Sequence, residues 1–87
     1  MPVATRIVFK ISNTFPEWAK AFDDDRANQE EAGIKPIFRG VSESDSSIVM
    51  AILEAEPGVL GIYMEGNEKV EASGHILGSE EFSNWLT

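Results

Sequence analysis

Residues 48–55, Ile48-Val49-Met50-Ala51-Ile52-Leu53-Glu54-Ala55, decide the fold of this chain. Ile48, Met50 and Ile52 point one way in an extended segment and Val49, Ala51, Leu53 and Ala55 the other, so both sets are apolar. That pattern reads as a central strand covered on both faces. Sliding the chain by 41 residues (48 − 7) lays Ile7 on Ile48, Val8 on Val49, Ile11 on Ile52, Pro16 on Pro57, Glu30 on Glu71 and Gly33 on Gly74. The matched positions are an apolar strand, a proline that opens a helix and a glycine that closes it. The chain is therefore read as two copies of one β-α unit.

Eighty-seven residues make one domain, residues 1–87, with room for a single core. Without cysteine there is no disulfide, no thiolate nucleophile and no usual structural zinc site. The single histidine, His75, excludes a multi-histidine metal centre within one subunit. A net charge of −8, with seven scattered basic residues, argues against nucleic acid as a partner. No apolar run reaches membrane-spanning length and residues 1–10 lack a signal-peptide layout, so no membrane partner and a cytoplasmic location are expected.

Around the repeat, Arg6 to Ser12 alternates, with Ile7, Phe9 and Ile11 on one face and Val8, Lys10 and Ser12 on the other, and is read as strand one. Thr14 and Glu17 form a capping-box pattern, and Pro16 is tolerated in the first turn, so a helix begins near Phe15. Phe15, Trp18, Ala19 and Phe22 give it a buried stripe that fades after Asp23 into acidic and amide residues, and Gly33 supplies the C-cap. Ile34 to Val41 reads as an edge strand carrying Pro36. Ser42 to Ser47 is a hairpin loop. Pro57 opens a second helix with Val59, Tyr63, Val70 and Gly66 on its stripe, broken at Asn67 and closed by Gly74. Phe82, Trp85 and Leu86 suit a short helix, but the repeat calls for a fourth strand. The expectation is an irregular turn through Ile76 to Gly78, then a short edge strand.

Strand, helix, strand, strand, helix, strand is the split βαβ, ferredoxin-like arrangement of an α+β fold, with strands one and three in the middle of a four-stranded antiparallel sheet. Two helices cover one face only. The reading places Val8, Ile37, Val41, Val49, Ala51 and Leu53 on the uncovered face, which a second copy of the chain would cover to make a homodimer.

The run Phe15-Pro16-Glu17-Trp18 with Phe22-Asp23, then Ala32-Gly33-Ile34, Arg39-Gly40, the Asp45 hairpin and Glu54-Ala55-Glu56, resembles the dimeric α+β barrel superfamily. That group includes antibiotic-biosynthesis monooxygenase-like and stress-responsive barrel proteins, and the chain is most similar to a small bacterial branch of it. The resemblance covers nearly the whole chain. It implies a ligand cavity between sheet and helices, lined by Phe9, Asn13, Trp18, Phe22, Met50, Tyr63 and His75. Enzymes of the superfamily often place an asparagine, a tryptophan and a histidine there. It also implies Asn13 at the end of strand one as a carbonyl polariser. His75 does not fall on the helix position a haem ligand needs, and no cofactor is expected.

Each candidate also has a structural reading, which we prefer from the residues alone. Asn13 suits a turn or cap, and Trp18, Phe22 and Tyr63 suit the core. His75 follows a C-cap glycine and would face water or bond a terminal carbonyl. Arg39 would pair with a glutamate across strands rather than clamp a substrate carboxylate. Asp23, Asp24 and Asp25 lack the spacing of a calcium loop. Two functions remain: a non-catalytic homodimer holding a small apolar or aromatic molecule, or a cofactor-independent oxygenase or isomerase. The latter would use Asn13 to polarise, His75 as acid/base and Arg39 to neutralise an anionic substrate.

Overall fold

In a computed structural model, which describes residues 2–65 and 67–86, the chain forms β1 (Val3–Lys10), α1 (Phe15–Asp24), α2 (Arg26–Glu31), β2 (Lys35–Val41), β3 (Ile48–Ala55), α3 (Val59–Met64), α4 (Glu68–Ala72) and β4 (Glu81–Leu86). The sheet order is β2-β3-β1-β4, antiparallel throughout. This is the ferredoxin-like α+β fold, with the carboxyl-terminal segment a strand. Gly66, expected on the second helical stripe, lies outside the described residues. Among the described residues no helix is long and apolar enough to cross a membrane.

Local chemistry sets the boundaries. The Thr14 hydroxyl accepts from the Glu17 amide at 3.4 Å while the Glu17 carboxylate accepts from the Thr14 amide at 3.4 Å, which closes the capping box. Each expected helix is interrupted. The first breaks at Asp25, and α4 starts afresh at Asn67, whose side chain accepts from the Lys69 amide at 3.0 Å. Asp45 takes the Ser47 amide and hydroxyl at 2.9 and 2.6 Å, which fixes the β2–β3 hairpin. Beyond β1, Ile11 bridges His75, and the Ser12 and Ile76 amides donate to the carbonyls of Gly74 and Lys10.

The register corrects the facing of β3. Thr5, Ile7 and Phe9 pair with Leu53, Ala51 and Val49, and all six are buried beneath the helices. Val8 pairs with Met50, and Arg6 with Ile52, on the reverse face. Val49, Ala51 and Leu53 are therefore core residues rather than interface, and Met50 faces away from the cavity. A strand apolar on both sides carries no phase of its own, and its partner sets it. With Arg6 and Lys10 turned outward on β1, the residues opposite them turn outward as well. Val41 pairs with Val49 and so lies on the helical side of the sheet at its edge. Ile37 occupies a bulge where the register shifts between Pro36 and Phe38. Of the six expected interface residues, pairing puts Val8 on the reverse face, together with Met50, Ile52, Phe38 (paired with Ile52) and Trp85 (paired with Ala4). Phe38 and Trp85 are 48% and 61% exposed.

Candidate functional site: an aromatic cavity between sheet and helices

Between the inner sheet face and the helices lies a cavity of about 350 Å³. Ile7, Phe9, Ala51 and Leu53 form its floor, Trp18, Phe22 and Gln29 one wall, and Leu60, Tyr63, Met64 and Val70 the other, with His75 at one end. Its size and apolar lining suit a small organic molecule. The aromatic side chains are packed in series. Phe22 stacks on Trp18 at 4.9 Å between centroids, Trp18 tilts against Phe9 at 5.4 Å, and Phe9 stacks on His75 at 4.2 Å. Helical spacing puts Trp18 and Phe22 on the inner side of α1, and strand alternation puts Phe9 opposite them.

His75 is buried, and its Nε2 lies 2.5 Å from Glu80 Oε1. The bridge to Ile11 fixes the backbone of His75, and the turn after it brings Glu80 back onto the ring. Burial pushes the Glu80 carboxyl up, but the hydrogen bond from His75, the amides of Glu80 and Gly78 and the attraction of His75 outweigh it and hold it below its ordinary value. A carboxylate so placed orients the imidazole and selects the tautomer with the proton on Nε2.

At the other end, the Tyr63 hydroxyl donates to Asp25 Oδ2, and Lys69 Nζ stands 3.9 Å from Asp25 Oδ1. This clasp joins the break between α1 and α2 to the second pair of helices. Burial first, and the Asp25 carboxylate second, push the Tyr63 phenol up to about 12. Tyr63 is the single tyrosine, so its ionisation is readable by ultraviolet absorbance. The native protein is expected to ionise near 12, and Asp25→Asn to move the transition back towards 10. A wild-type transition at the ordinary value would contradict the clasp.

A third polar group faces no partner. Gln29, on α2, lines the cavity and is 6% exposed, yet its Oε1 has no hydrogen bond among the described residues.

The other expected site residues lie elsewhere. Asn13 donates through Nδ2 to the Ser73 carbonyl at 2.8 Å and packs on Gly74, which makes it a lock on the end of α4 and not part of the cavity lining. Arg39 grips Asp23 of α1 with two hydrogen bonds, Nε to Oδ1 at 2.8 Å and Nη2 to Oδ2 at 2.7 Å, and lies over the Phe15 ring at 5.7 Å. Its partner is thus a helix aspartate, not a cross-strand glutamate. Hydrogen bonding from Arg39 holds Asp23 below its ordinary value. Met50 is on the reverse face of the sheet. Phe9, Trp18, Phe22, Tyr63 and His75 are brought together, whereas Gln29, Asp25 and Glu80 were not legible as site residues. Glu80 follows His75 across a glycine turn with no periodic signal. Gln29 shows only as a polar residue where the apolar stripe of the first helix would continue.

Fold and site together define a ferredoxin-like α+β domain with an aromatic-walled cavity between its sheet and helices. The chain belongs to the family described as Domain of unknown function (DUF3764), which it matches over residues 3–87. No curated protein matches it in sequence. It is similar in structure to a Caulobacter crescentus CB15 protein named, by inference, an antibiotic biosynthesis monooxygenase: TM-score 0.60, 16% identity, 97% of this chain and 87% of that one. A Nitrosomonas europaea protein named in the same way gives 0.55, 10%, 97% and 88%. The C-terminal domain of a cyclometallase involved in the synthesis of the NPN cofactor of lactate racemase gives 0.53, 8%, 98% and 56%. At these identities the likeness shows the fold.

The Glu80 contact has a pH consequence. Its folded value lies below the ordinary 4.5, so the stabilisation is fully present above 4.5 and is lost as pH falls through the folded value. Glu80→Gln is expected to lower the urea midpoint at neutral pH, with the gap to wild type narrowing below pH 4.5. A gap that stays constant with pH would show that the carboxylate contributes nothing by its charge.

Proposed function

We propose that the chain is the subunit of a homodimer that holds a small, planar, largely apolar molecule between its sheet and helices. The observation that supports this best is the aromatic-walled cavity with a few polar groups at its margins. Dimer formation is supported by the reverse sheet face, where Val8, Met50, Ile52, Phe38 and Trp85 lie together and a second copy offers the same apolar surface. The likeness in fold to proteins named as antibiotic biosynthesis monooxygenases agrees with this reading.

One observation favours a catalytic version. His75 lines the cavity with its Nε2 held by a carboxylate, the arrangement in which an imidazole takes up or gives a proton at its free nitrogen. An oxygenase or isomerase built on this cavity would rely on His75, because Asn13 and Arg39 are committed to structural contacts outside it.

Native mass spectrometry of protein purified without denaturant tests the main reading. The expected result is a dimer mass with a small-molecule adduct that denaturation releases. A monomer that stays empty and takes up no compound from an aromatic panel would overturn it.

A further inference from the structure

Two buried side-chain oxygens have no hydrogen-bond partner among the described residues, Asn13 Oδ1 and Gln29 Oε1, and of these two residues only Gln29 lines the cavity. It sits inside α2 with its backbone carbonyl accepting from the Ile34 amide at 2.8 Å, and its side chain lies among the apolar walls of the cavity. Oε1 is buried and unpaired. Buried polar atoms are nearly always paired, and an apolar residue of the same size would avoid the penalty of leaving one bare. Leucine or methionine would continue the stripe of Trp18 and Phe22 onto α2.

We infer that Gln29 is the recognition residue of the cavity and that the occupant is a neutral planar molecule carrying an adjacent hydrogen-bond donor and acceptor, as in a lactam or a primary amide. A carboxamide presents one acceptor and one donor side by side, and its complement is a second group with the same pair reversed. Most polar groups at the cavity rim are already engaged, the free ring nitrogen of His75 being the exception. Asp25 already accepts from Tyr63 and from Asn28, and Glu80 is taken by His75 and the Gly78 amide. A full negative charge in the ligand would meet only Lys69, which stands beside Asp25, so an uncharged donor–acceptor pair fits the lining better than a carboxylate. The polar contact would fix one orientation, and the aromatic series would supply most of the contact area.

This inference rests on the cavity being a binding site, and the test separates the two. Dissociation constants for naphthalene and 2-quinolone, two bicyclic probes of nearly equal shape of which only the second carries the lactam pair, are measured by NMR titration on wild type, Gln29→Leu and Gln29→Met. Wild type is expected to bind 2-quinolone at least about tenfold more tightly than naphthalene, the range a buried polar pair supports. Both variants are expected to lose that preference while holding naphthalene as well as wild type. They should also unfold at higher denaturant when empty, since the bare amide is gone. Equal binding of the two probes by wild type, or a preference that survives in both variants, would overturn the role of Gln29 and leave the cavity reading standing. Binding of neither probe would overturn both.

Discussion

An aspartate at Val49 is expected to abolish folding, whereas a glutamate at the next residue, Met50, is expected to leave the fold in place and dissociate the proposed dimer. Val49 has no exposure at all, and Phe9 stands opposite it on the core face of the sheet. An unpaired carboxylate there costs roughly 4 kcal/mol or more, a large part of the ~5–15 kcal/mol that holds a small domain together. Met50 pairs with Val8 on the reverse face, where a lone subunit leaves room for water. Its replacement is expected to change monomer stability by less than about 1 kcal/mol. Between two copies, however, the same charge and its symmetry mate would be buried together, weakening association by about 100-fold or more. Circular dichroism with sedimentation velocity separates the two effects. If Val49→Asp folded while Met50→Glu did not, the register and everything built on it would be wrong.

Gly74→Ala carries the second large effect. Gly74 has φ +100, and an added Cβ would lie 2.2 Å from Asn13 Oδ1. The strained backbone alone costs on the order of 1–3 kcal/mol, and the clash forces Asn13 off the Ser73 carbonyl. The sum is expected to reach about 3 kcal/mol, a fall in Tm of about 15 °C for a domain of this size. Asn13→Ala removes the obstacle, so the double variant is expected to be more stable than the sum of the single effects by about 1 kcal/mol or more. Simple additivity would mean that Asn13 does not pack on the α4 terminus.

Much of the architecture follows from local chemistry that the sequence displays. The Thr14–Glu17 box, Gly33 and the Asp45 turn place their elements because each satisfies backbone groups within a few residues of itself. The repeat then fixes the order of strands. The phase of β3 does not follow in that way, because both of its faces are apolar. The one polar residue that marks it is Glu54, which shares parity with Met50 and Ile52 and pairs with Lys35 on the edge strand. Given that weight, Glu54 would have turned the strand the right way.

The site was legible where periodicity speaks and silent where it does not. Trp18, Phe22 and Phe9 converge because helical and strand spacing aim them inward, and Tyr63 joins them from the second repeat. Glu80 reaches His75 only through the turn that follows it, and Asp25 reaches Tyr63 only because α1 breaks there. Arg39 meets Asp23 across 16 residues, so a cross-strand rule could not find it. Gln29 lies in the stretch after Asp23 where the apolar stripe fades, and nothing in the sequence singles it out there. Its burial is what turns that fading into a feature of the cavity wall.

The central claim is that small molecules enter the space between sheet and helices and leave the reverse face alone. Methyl and indole NMR of the isotopically labelled protein titrated with naphthalene tests it most directly. Saturable shifts are expected at Trp18, Leu53, Leu60 and Val70, with Val8, Met50, Ile52 and Trp85 unmoved. Shifts centred on Met50 and Trp85, or none at Trp18 and Leu53, would contradict it.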